Sequence, residues 1–255
     1  MMFSVANTKL IKLAKNPAMD KFLNIPGRKR SRKVYSFDLL SGHSCPFAEE
    51  CLAKVEIIDG RRKVIDGKKK KFRCFSASQE ALLTNVFNKR FLNFEILRHK
   101  TTEEIVAIIC AAMPDNLGIG RIHVAGDFFS KAYFRAWIQV AILNPDRLFY
   151  AYTKSLPYWL ENLGIIPENL ILTASKGGRC DRLVDQFNLR SAVVVFSHAE
   201  AAELGLEIDQ DDSHAANPDT KNQDFALLIH GVQPKGSNAA KALQTLKLER
   251  KVQSV

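Results

Sequence analysis

The chain predicts an α/β domain built on a parallel sheet, and three observations carry that reading. Six short runs, 34–39, 119–125, 148–153, 170–174, 192–196 and 225–229, are mostly apolar on both faces, as strands covered on both sides are. Stretches with helical spacing of apolar residues lie between them. Each run exits into small or polar residues, and parallel α/β folds gather function at that end of their strands. Six such units make an open doubly wound sheet or an incomplete barrel.

Residues 1–33 read as a short helical arm and a basic connector punctuated by Pro26-Gly27; residues 34–255 read as one domain. Ser41-Gly42 turns the first strand into a cysteine segment, 43–78. Inside it, 55–58 and 63–65 are β-type runs around Asp59-Gly60, which predicts a β-hairpin insertion. A helix is expected over 78–97, with apolar Leu82, Leu83, Val86, Phe87, Phe91 and Phe94 in a helical pattern. Thr101 and Glu104 form a capping-box pattern ahead of the next helix, whose apolar face includes Cys110. Further helices follow at 131–143, 155–163 and 180–187. Ser197 and Glu200 start another, and 238–249 is the last. An acidic loop, 207–212, precedes the sixth strand.

The 255 residues suffice for a core without disulfides. No apolar run reaches membrane-spanning length, and the N-terminus lacks a signal-peptide pattern, so a cytoplasmic protein with no membrane partner is expected. The formal charge is +10, concentrated in segments 28–33 and 61–73. Those two segments point to nucleic acid or another polyanion.

The strongest chemical signal is Cys45, Cys51 and Cys74, in polar surroundings where a structural core cysteine is not expected. In a reducing compartment, clustered thiols suit a metal or an iron–sulfur cluster. The hairpin would bring Cys51 and Cys74 back together. A structural zinc would need a fourth ligand, with His43 or Cys180 as candidates. A cluster held by three thiolates would leave one iron open. The other strand exits offer Gly126-Asp127, Thr153-Lys154, Ser175 to Gly178, Ser197-His198 and His230-Gly231.

This order of parts resembles the radical S-adenosylmethionine superfamily, in which a three-cysteine loop follows the first strand of a partial barrel. The resemblance implies an incomplete (βα)6 TIM-like barrel and a [4Fe-4S] cluster on Cys45, Cys51 and Cys74. It also implies S-adenosylmethionine at the barrel mouth, with Gly126, Asp127, Lys154, Ser175 and His198 as cofactor-binding residues. Asp127 would receive the cofactor's amino group. The spacing here is C-x5-C-x22-C, where that superfamily has C-x3-C-x2-C. The segments SGHSCPFAEECLAK, FRCFSASQEA, IHVAGDFFSKAYFRAW, FYAYTKSLPYW, ILTASKGGRCD and FALLIHG are similar to a phage-encoded family, gene product 88. That family name implies fold and origin, not a reaction.

Overall fold

The structure is a computed structural model that describes residues 2–27 and 29–252; Arg28 of basic segment 28–33 and residues 253–255 lie outside the described residues. The elements in chain order are β1 (Phe3–Val5), α1 (Thr8–Leu13), α2 (Asp20–Leu23) and β2 (Lys33–Phe37), then β3 (Ala53–Ile58), β4 (Arg61–Asp66), α3 (Phe75–Leu82), α4 (Thr84–Leu97) and α5 (Thr102–Ala112). Next come β5 (Leu117–Ile122), α6 (Lys131–Ile142), β6 (Leu148–Thr153), α7 (Leu156–Leu160), β7 (Leu170–Ser175), α8 (Arg182–Gln186) and β8 (Ser191–Val195). The chain ends with α9 (His198–Glu203), β9 (Glu207–Ile208), α10 (Ser213–Ala216), β10 (Phe225–Leu228) and α11 (Asn238–Val252).

Eight strands form one sheet in the order β1-β2-β5-β6-β7-β8-β10-β9, and β3 and β4 form a separate hairpin. The six strands from β2 to β10 are parallel neighbours in chain order, which removes the doubly wound alternative, since that needs a reversal of order. β1 pairs antiparallel with β2 at one edge and β9 lies at the other, so the sheet is open and mostly parallel. Right-handed crossovers without a reversal place α5, α6 and α8 on one face, while α10 lies on the other. On the first face Ile105 and Ile109 of α5, Phe134 and Trp137 of α6, and Val184 of α8 pack on Phe37, Ile122, Phe149 and Leu172. Segment 1–33 supplies the edge strand β1 and covers the other face, where Leu10, Leu13, Met19 and Leu23 meet Val34, Ile119, Tyr150 and Phe225.

Local chemistry sets the boundaries. Asp59 and Gly60 both take positive φ, so a two-residue turn joins β3 to β4 in the register Ile58↔Arg61. Thr101 and Glu104 make the reciprocal capping box of α5. The expected single helix over 78–97 is instead two, because Leu83 is extended (φ −108°, ψ 105°). Arg62 of the hairpin holds that break, donating through Nε to the Ala81 carbonyl (3.3 Å) and through its terminal nitrogen to Thr84 Oγ1 (2.8 Å). The second strand is shorter than 119–125. His123 takes φ 68° and ends regular pairing, although Leu39 N still bonds Ala125 O at 2.9 Å. Among the described residues no helix is long and apolar enough to cross a membrane.

Candidate functional site

The exits of the parallel strands form one rim, and the cysteine segment lies across it. Glu50 N bonds Gly177 O (2.9 Å) and Arg179 N bonds Phe47 O (2.9 Å), tying the segment to the β7 exit. On the far side Gln233 brackets Arg73, accepting from its N–H (2.7 Å) and donating to its carbonyl (2.9 Å). Phe75 packs on His230 with ring centroids 4.6 Å apart, close enough that a Cβ on Gly231 would lie 2.3 Å from Phe75 Cβ. The segment therefore lies across the strand exits from β5, where Asp127 N donates to Ser44 Oγ (3.4 Å), to β10.

Cys45, Cys51 and Cys74 share this neighbourhood. The hairpin returns Cys74 to Cys51, with Cys74 N donating to Cys51 O at 3.2 Å. All three are free thiols of intermediate exposure. Burial pushes the Cys45 thiol well up, and the charges of Asp127, Cys74 and Cys51 push it further. Burial also raises Cys51, with Lys154 pulling it down and Asp127 pushing it up. Cys74 is raised to about 11 by burial and by Cys51, against hydrogen bonds from the Ser76 and Ala77 N–H groups at the start of α3. Among the described residues no group of three or more His, Cys, Asp or Glu side chains is arranged to hold a metal ion. His43 and Cys180 are engaged elsewhere: His43 Nε2 pairs with Val55 O (2.9 Å), and Cys180 packs against the main core. Cys110 lies apart, on α5.

The strand-exit residues brace one another. Asp127 is buried, and its carboxylate accepts from Phe128 N (2.7 Å), Thr153 Oγ1 (2.6 Å) and Lys154 N (2.8 Å). Burial raises it to about 6 despite those three bonds. It does not cap α6; Ser130 does, accepting from Tyr133 N. Gly126 (φ 89°) admits Ser44, whose Oγ would lie 2.6 Å from a Cβ there. Lys154 is buried, and its ammonium donates to Ser175 O (2.8 Å), Ser175 Oγ (2.9 Å) and Lys176 O (2.6 Å). His198 opens α9 and is exposed.

Sequence reasoning missed the residues that hold the segment in place. Glu80 is fully buried and accepts from Ser41 N (3.1 Å), Ser41 Oγ (2.7 Å) and Arg90 (3.1 Å), fastening the start of the segment to α3 and α4. It also missed a charge network on the face covered by α1. There Asp212 accepts from Arg121, Tyr150 Oη (2.9 Å) and Lys9 Nζ (2.7 Å). The acidic loop 207–212 carried the one visible signal for that network.

The two basic segments differ. In 61–73, Lys63, Lys69, Lys70, Lys71 and Arg73 each pair with a carboxylate of the same segment or of its flanks. In 28–33, Lys29, Arg30 and Lys33 are exposed without such partners among the described residues.

Comparison with known proteins agrees with the ordered match along the chain. The gene product 88 family profile matches residues 1–249. The Gene 88 protein of Mycobacterium phage L5 is 29% identical over 122 residues, which cover 44% of this chain and 44% of that protein. The Gene 88 protein of Mycobacterium phage D29 is 29% identical over 122 residues, covering 44% of this chain and 43% of that protein. The match thus spans less than half the length of these relatives. No solved structure matches the chain.

Proposed function

The chain belongs to the gene product 88 family, and we propose that Cys45, Cys51 and Cys74 hold an iron–sulfur cluster at the mouth of an incomplete (βα)6 barrel of the radical S-adenosylmethionine type. The observation that carries this reading is the gathering of the three thiols at the strand exits: the hairpin returns Cys74 to Cys51, with Cys74 N donating to Cys51 O at 3.2 Å, and Cys45 lies close enough to feel the charge of both. Burial keeps these thiols protonated, and bound iron would stabilise their thiolates and release the protons. The parallel strands in chain order and the cysteine segment across their exits support the barrel reading.

S-adenosylmethionine is the cofactor this reading assigns to the rim, and the bound pair would supply one-electron chemistry. The residues present fit it at one point. Asp127 Oδ1 accepts two hydrogen bonds and Oδ2 one, which leaves an acceptor position on Oδ2 for an ammonium group. Thr153 and the Lys154 backbone orient the carboxylate. Lys154 holds the 175–176 turn, with Ser175 as its partner, and His198 stands at the next exit but one. Ser76 and Ala77 N–H groups favour the thiolate of Cys74 at the start of α3. The basic surface suits an anionic substrate. Anaerobic reconstitution followed by absorption and electron paramagnetic resonance spectra tests the cluster. Calorimetry with S-adenosylmethionine on the reconstituted protein then tests the cofactor. A protein that takes up zinc alone would overturn the proposal and favour a non-enzymatic nucleic-acid-binding protein with a structural metal.

A further inference from the structure

We infer that the face formed by α1, α2 and the connector to β2 binds the phosphate backbone of a nucleic acid. This inference is independent of the cluster reading. Lys12, Lys15, Lys21, Lys29, Arg30 and Lys33 are all exposed, and none has a carboxylate partner among the described residues. Asp20, the one acid in segment 1–33, accepts from the neutral Asn24 (3.1 Å); Asp146 pairs with Arg32, and Asp209 and Asp212 with Lys9. Segment 61–73 is also rich in cations, but there five of them pair with four carboxylates, Asp59 and Asp66 of the hairpin and Glu49 and Glu50 before it. The cations are therefore unpaired on the arm and mostly paired in segment 61–73.

The arm face also has a recess. A groove of about 460 Å3 runs between α1 and the start of β2, lined among others by Ile11, Ala14, Asn24, Ser31, Arg32 and Lys33. Arg32 is buried and pairs with Asp146 beneath the groove. The exposed cations beside it, Lys33 among them, suit phosphate oxygens. An anionic lipid surface fits less well. Insertion needs an apolar helix face, and Leu10, Leu13, Met19 and Leu23 are already buried in the protein core. Repeated phosphates along a strand match several cations spread over α1, α2 and the connector.

The test compares three proteins as purified, with and without reconstituted cluster: wild type, Lys12→Gln/Lys15→Gln/Lys29→Gln/Arg30→Gln, and Arg61→Gln/Lys68→Gln in the hairpin. Fluorescence anisotropy with a short labelled single strand and the matching duplex is read at about 50 mM and about 200 mM salt. The expected result is salt-dependent binding by wild type and a loss of at least about tenfold in the quadruple variant. The salt slope should flatten by about 0.9 per lost phosphate contact on duplex. The hairpin variant should bind within about twofold of wild type. If the quadruple variant fails to fold, as read by circular dichroism, Lys29→Gln/Arg30→Gln replaces it with a smaller expected loss. Absent binding by wild type, an equal loss in the hairpin variant, or no loss in the arm variant overturns the inference. So does preferential binding to phosphatidylserine vesicles that depends on the same four residues. Because binding is measured with and without cluster, failure of one proposal is distinguishable from failure of the other.

Discussion

Asp212 and Asp127 are both buried carboxylates beside the same sheet, and their surroundings act on them in opposite directions. Burial alone would raise both. Arg121 and Lys9 nevertheless hold Asp212 below the ordinary carboxylate value. Asp127 has hydrogen bonds but no cation in direct contact, and burial raises it to about 6. The network around Asp212 answers each charge with an opposite one and joins α1, β5, β6 and the loop before α10. The rim around Asp127 places an acid beside Cys45 and Cys51, and its charge pushes both thiols up. Groups whose charges are matched serve the fold, and groups left electrostatically unsatisfied at strand exits mark the site.

The largest effect should come from breaking the matched network. Asp212→Asn leaves Arg121 buried without its counter-charge, and loss of one partner of a buried pair costs about 3–5 kcal/mol. Asn tolerates the left-handed backbone at this position (φ 68°), so strain does not confound the result. Urea denaturation should show that loss. Because the folded carboxylate is depressed, the wild-type advantage should also fade as pH drops through the carboxylate range. A loss under about 1 kcal/mol would place the network among ordinary surface pairs.

Asp127→Asn should have a smaller effect of opposite pH character. Asn offers one acceptor oxygen and turns an amide N–H₂ toward groups that are all donors, which costs about 1–3 kcal/mol. The folded Asp127 is raised to about 6 from 3.8, so the folded state takes its proton first. Its contribution therefore grows as pH falls from about 6 to 3.8, and the ionised, buried form is the less favourable one above that window. Asn has no such gain, so the gap between variant and wild type should widen on acidification through that window. A gap that narrows there would reverse the assignment of burial as the dominant cause.

The smallest effect should come from a site in neither region. Thr101→Ala removes the α5 capping box at a cost of about 1 kcal/mol, independent of the rim and of the buried network. Thermal denaturation should show a small shift with iron uptake unchanged.

Much of this was legible in the sequence because it is local. Apolar runs gave the inner strands, Asp59-Gly60 gave the hairpin turn, and Thr101 with Glu104 gave a helix start. The return of Cys74 to Cys51 followed from that hairpin. The matched network was not legible, because Lys9, Arg121, Tyr150 and Asp212 come from separate elements and no spacing relates them. The break at Leu83 was hidden for the same reason: it depends on Arg62, a hairpin residue distant in sequence. The roles of Asp127 and Lys154 as braces between strand exits needed the strand order, which places β5, β6 and β7 side by side.

The central claim is that Cys45, Cys51 and Cys74 act together on one cluster while Cys110 does not. Iron and acid-labile sulfide should be measured after anaerobic reconstitution of wild type, of each single Cys→Ala variant at the three positions, and of Cys110→Ala. Wild type and Cys110→Ala should each hold about four irons and four sulfides per chain. Each of the other three variants should lose most of both while keeping its secondary structure. Equal iron in all five proteins, or wild type loaded with zinc and refusing iron, would contradict the account.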